Sequence, residues 1–138
     1  PLLVTFIPML TDTGGNAGSQ SSTMIIRGMA VGEIEAGDIL RVLWKELRVG
    51  VIVGVLLGLV NYIQLVIRFP GQEMLCLTVV LSLLATVMLA KTIGCVLPIV
   101  AQVLHLDPAI MAAPLITTIV DAVSLIIYFQ LACSLLKI

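Results

Sequence analysis

"VGVIVGVLLGLVNYIQLV", residues 49–66, carries no charged side chain, and its apolar run meets polar groups only near its end, at Asn61, Tyr62 and Gln64. A bilayer's hydrocarbon core is about 30 Å thick, so a spanning α-helix needs roughly 20 such residues. A strand of a membrane barrel would alternate apolar and polar residues over segments of about ten, and this run does not. Gly50, Gly54 and Gly58 recur at every fourth position with no polar residue on their row. Small residues at that spacing let a second backbone approach closely. The stretch therefore predicts a membrane helix with a packing groove.

The rest of the chain extends that pattern. Its 138 residues are 60% hydrophobic and 11% charged, and mean hydropathy is +1.22; soluble domains carry about 25% charged residues. The fold class is all-α, a polytopic helical membrane protein built as one transmembrane domain over 1–138. Three more apolar segments cover about 1–30, 74–104 and 109–136, and the last two are long enough to require tilt or emergent ends. The connector 31–48 places Ile39, Val42, Leu43 and Leu47 at helical spacing with charges opposite. That spacing predicts an amphipathic helix lying along the membrane surface.

Of seven basic residues, Arg27, Arg41, Lys45 and Arg48 fall between the first two apolar segments, and Arg68 in the next loop. The positive-inside rule makes the connector and the turn 105–108 cytoplasmic in a multi-pass cell-membrane protein, with both ends outside. "RFPGQE" is the outer turn, broken by Pro-Gly. In "LHLDPA", Asp107 and Pro108 have the residue types of an N-cap and first helical position. No basic cluster interleaves with aromatics, so nucleic acid is not an expected partner. Cys76, Cys95 and Cys133 read as free thiols inside apolar segments. The opening "PLLVTFIPML" has no initiator Met or basic n-region, as in a piece of a larger protein.

Two stretches carry chemistry. "MAAPLITTIVDAVSLIIYF", residues 111–129, keeps Asp121 near its middle, where a carboxylate costs about 2.5–3.5 kcal/mol on insertion scales. Thr117, Asp121, Ser124 and Tyr128 share one helical face, a polar stripe suited to a water-filled ion path. Lys91 sits at comparable depth, each about 20 Å from the inner turn. An ion pair with Asp121, snorkelling, and pairing with another carboxylate such as Asp12 all fit that depth. The second stretch is "TDTGGNAGSQSST", residues 11–23. Gly14 and Gly18 suit a packing seam, but Asn16, Gln20, Thr13 and Thr23 exceed what a seam needs, and they must face protein or water. No hydrolase, zinc or P-loop motif occurs. An intramembrane aspartyl protease would need Asp12 and Asp121 to share a site, and the G-x-G-D run of such enzymes is missing. No enzyme activity is expected.

"PMLTDTGGNAGSQSSTMIIRGMA" followed far downstream by "DPAIMAAPLITTIVDAVSLIIYF" resembles the transmembrane domain of the MgtE family of magnesium channels. That resemblance implies a homodimer with five membrane helices per subunit, embedded in lipid. It also implies cytoplasmic CBS domains that sense magnesium and are absent from this sequence. The helix lacking here would precede Pro1. The resemblance further implies hydrated Mg2+ held at Asp121, pore-facing positions at Gly14, Asn16, Gly18 and Gln20, and regulatory Mg2+ near Asp107. Thr117 would offer oxygen to the ion's water shell. The function so implied is a magnesium-selective channel, with a proton- or sodium-coupled carrier titrating Asp121 as the alternative. Two Asp121 copies across a dimer axis would favour divalents over monovalents by charge.

Overall fold

The computed structural model describes residues 2–111 and 113–138, and no strand occurs among them. A single helical turn, α1 (Leu2–Thr5), leads into α2 (Ile7–Ala30), α3 (Ile39–Arg68), α4 (Glu73–Val103) and α5 (Ala113–Leu136). Short 3-10 turns at Ala36–Asp38 and Pro108–Met111 precede α3 and α5. Among the described residues, three stretches are long and apolar enough to cross a membrane: Ala36–Arg68, Glu73–Val103 and Pro114–Leu136. Helix α2 has comparable length, but its glycines, amides and hydroxyls keep it out of that set.

Helix α4 is the centre of the bundle. Half of its most apolar window is buried, against 22% for α3 and for α5, and α2, α3 and α5 all pack on it. The apolar core forms three layers along the axis. Phe6, Leu10, Leu65, Leu83 and Tyr128 fill one end. Ala17, Val87, Ala90, Ile116 and Val120 fill the middle, and Ile25, Val42, Cys95 and Ile99 the other end. The turn between α3 and α4 is closed by Gly71 at φ 83°, a backbone state that other residues rarely adopt.

The row Gly50, Gly54 and Gly58 receives side chains of α4, as its spacing predicts. A β-carbon added at Gly50 would stand 3.1 Å from Met88 Sδ, and one at Gly58 3.2 Å from Val80 Cγ1. The closest crossing is elsewhere. A β-carbon at Gly94 would fall onto the Gly18 carbonyl oxygen, so α2 and α4 touch backbone to backbone there.

The connector departs from expectation. Residues 39–48 do not form a separate surface helix; they are the first turns of α3, which runs unbroken into the apolar segment. No Pro interrupts the sequence there, and Gly50 is filled by α4. The face of Ile39, Val42 and Leu43 packs on Ile25, Cys95 and Ile99, so protein covers it in place of lipid. The thiols also differ: Cys76 and Cys95 are buried, while Cys133 is exposed.

Candidate functional site

A polar groove of about 360 Å³ runs between α2 and α5, lined by Pro8, Thr11, Asp12, Gly15, Asn16, Thr117 and Asp121. Its geometry starts from Gly15. A β-carbon there would stand 3.1 Å from Thr117 Cγ2, so the missing side chain lets α5 close on α2 at that level. Asn16 follows on the open side, and Asp121 lies one turn beyond Thr117. Asn16 Nδ2 donates to Asp12 Oδ2 at 3.4 Å, one turn back on α2. The Thr117 hydroxyl donates to the Pro114 carbonyl at 3.0 Å and the Thr11 hydroxyl to that of Ile7 at 3.0 Å.

The polar atoms of this lining are two carboxylates, one amide and two hydroxyls. Hard divalent cations prefer such oxygen ligands, and soft metals prefer thiolate or imidazole. Among the described residues no three His, Cys, Asp or Glu side chains converge on one point. One chain thus offers a half-open wall with no closed cage for a dehydrated ion.

Lys91 does not neutralise Asp121. Its Nζ lies 3.5 Å from Glu46 Oε2 and donates to Ser21 Oγ at 3.3 Å. Ser21 Oγ in turn donates to Glu46 Oε2 at 2.5 Å. Both charged side chains are nearly fully buried, at 6% and 5% exposure. This triad ties α2, α3 and α4 together. Among the described residues no cationic nitrogen lies within ion-pair distance of Asp121.

The expected polar residues separate into two groups. Asn16, Thr117 and Asp121 share the groove, and Gln20 is exposed on α2, one turn past Asn16. Gly14 and Gly18 do not face it: added β-carbons would meet Val120 and Thr86, or Ile116 and the Ala90 carbonyl, in the seams with α4 and α5. The stripe on α5 splits as well. Ser124 is buried and donates to the Asp121 carbonyl at 2.9 Å, while Tyr128 is buried and donates to the Leu3 carbonyl at 2.8 Å. The chain around Leu3 covers that end of α5, and the hydroxyl satisfies a backbone oxygen there. Asp107 lies at the α4–α5 turn, exposed, its Oδ1 accepting from the Ala109 amide at 3.0 Å. It caps the 3-10 turn and is not part of the groove.

Pro8, Thr11, Asp12 and Gly15 line the groove but were not among the expected ion-site residues, and Asp12 is the charged one. Its signal was available: it precedes Asn16 by four on one helix, so the two share a face.

These features define a helical membrane domain with an oxygen-lined groove that holds an acid paired with no cationic side chain among the described residues. Residues 7–131 match the family model MgtE, described as divalent cation transporter, and the chain belongs to that family. It is 36% identical over 135 residues to "Magnesium transporter MgtE" of Thermus thermophilus, covering 98% of this chain and 30% of that protein. It is 35% identical over 130 residues to the protein of the same name from Bacillus subtilis, covering 94% of this chain and 29% of that one. The chain thus spans about three-tenths of the length of the relatives it matches.

Proposed function

We propose that this domain conducts hydrated Mg2+ across the cell membrane through a pore formed by two copies of the chain, with Asp121 as the central ion site. The observation that carries the reading is Asp121 itself: an acid in a membrane helix, lining an oxygen-rich groove, with Lys91 committed to Glu46. A carboxylate left exposed to lipid would be costly, so a wet passage is the physically consistent surrounding. Mg2+ holds its water tightly and is bound through few carboxylates. A half-open wall from each of two subunits suits an ion that keeps its shell. The names of the relatives supply the choice of Mg2+ among divalents.

In this reading Asp121 holds the ion's water shell, Asn16 and Thr117 accept hydrogen bonds from it, and Gln20 continues the path. Gly14 and Gly18 keep α2 against α4 and α5. Asp107 stands at the cytoplasmic end, where a regulatory Mg2+ would sit. Proteoliposomes carrying an internal Mg2+ indicator test the proposal. Influx is expected down the Mg2+ gradient alone, and to be lost in Asp121→Asn while the dimer still assembles. Influx that persists in Asp121→Asn would remove the proposal. Dependence on a proton or sodium gradient would replace the channel by a coupled carrier.

A further inference from the structure

A second cavity, of about 560 Å³, lies where the end of α2, the following loop and the first turns of α3 meet. Arg27, Arg41, Lys45 and Arg48 all line it, against two carboxylates, Glu33 and Glu46. Glu46 is already engaged by Lys91, and Arg41 is held by Asp38 at 3.3 Å. Arg27, Lys45 and Arg48 form no ion pair with a described residue. Positive-inside topology accounts for the number of basic residues at this end. It does not account for their convergence on one cavity.

The position identifies the ligand's source. Helix α3 runs for 30 residues, about 45 Å, against about 30 Å of hydrocarbon. Its early turns, with Lys45 and Arg48, therefore reach headgroup level on the side where anionic lipids concentrate. Trp44 is 62% exposed, and the Arg48 guanidinium lies 5.8 Å from the centre of its ring. An indole at this depth is the usual membrane-interface anchor, and the ring holds the guanidinium at the cavity wall. Met24 and Val31, both largely exposed, line the same cavity and give it an apolar side.

We propose that this cavity binds the phosphate headgroup of an anionic phospholipid, with Arg27, Lys45 and Arg48 on the phosphate and an acyl chain along Met24 and Trp44. Native mass spectrometry of the whole protein with phosphatidylglycerol or phosphatidylcholine tests it. Phosphatidylglycerol should be retained selectively and should raise the unfolding temperature. The double variant Arg27→Gln/Lys45→Gln should lose retention on the order of tenfold. Arg68→Gln, at the opposite end of α3, should not. The charge-preserving variant Arg27→Lys/Lys45→Arg should keep the lipid, and loss there as large as in the glutamine variant would overturn the assignment. So would equal retention of the two lipids, or phosphatidylglycerol retained undiminished in the glutamine variant. Displacement of the lipid by an equal concentration of glycerol 3-phosphate would assign the cavity to a soluble phosphate and overturn the lipid.

Discussion

Lys91 Nζ stands 3.5 Å from Glu46 Oε2, on a side of α4 that faces α3 and away from the groove that holds Asp121. The membrane domain's buried lysine is satisfied by a carboxylate from the first turns of α3 and a serine from α2. Its structural role and the proposed ion site are thereby separated, and single substitutions can address each.

Glu46→Ala leaves a buried ammonium with Ser21 alone, and breaking such a pair typically costs about 3–5 kcal/mol. Thermal unfolding in detergent should show a large loss for Glu46→Ala and for Lys91→Ala. The double variant Glu46→Leu/Lys91→Met removes both charges and should recover most of it. Losses that simply add would show that the two groups are not coupled.

The crossing of α2 on α4 gives a steric prediction. Gly94→Ala directs a methyl group at the Gly18 carbonyl, and overpacking of this kind costs about 1–3 kcal/mol or more. It should lower both stability and flux, because α2 carries one wall of the groove. Gly37→Ala, where nothing lies within 4 Å, should leave both unchanged. Unfolding curves and Mg2+ influx on the same preparations check the pair.

Asp12 adds a second negative charge to the groove without being its centre. Asp12→Asn keeps the shape and removes the charge, so half-saturation of Mg2+ influx should shift to higher concentration on the order of tenfold. Maximal influx should persist. An unchanged half-saturation point would take Asp12 out of the ion's surroundings.

Tyr128→Phe deletes the hydroxyl that serves the Leu3 carbonyl. A hydrogen bond of this kind contributes about 0.5–1.5 kcal/mol net. A modest fall in unfolding temperature with Mg2+ influx retained is the expected result, since Tyr128 is packed in the core and does not line the groove. Loss of influx with unchanged stability would return Tyr128 to the ion path.

Much of this architecture was legible in the sequence, for physical reasons that differ by element. Continuous apolar runs mark helices whatever their neighbours, and the four-residue glycine row on α3 announced its groove. Asp121, Asn16 and Thr117 stood out because polar groups in apolar helices must meet water or protein. The start of α3 was not legible: charges at residues 41, 45 and 48 made the connector look like a surface helix. Glu46 follows Val42 by four and shares its buried face, a signal masked by the basic residues beside it. Seams and groove on α2 were not separated either. Gly14 and Gly18 lie within two residues of Asn16, and which face meets α4 depends on packing that one helix cannot specify. Ser124 and Tyr128 fall on Asp121's face by spacing, but packing against α4 buries Ser124 and the chain around Leu3 covers Tyr128.

The central claim is that a divalent ion rests beside Asp121 within its water shell. Diffraction from crystals grown with Mn2+, an oxygen-seeking octahedral stand-in for Mg2+, tests it directly through anomalous scattering. The account predicts a peak between two copies of the chain, roughly 4 Å from the Asp121 carboxylate oxygens with water between, and no peak in Asp121→Asn. A wild-type map with no anomalous signal at the groove, or a peak that survives in Asp121→Asn, would contradict it.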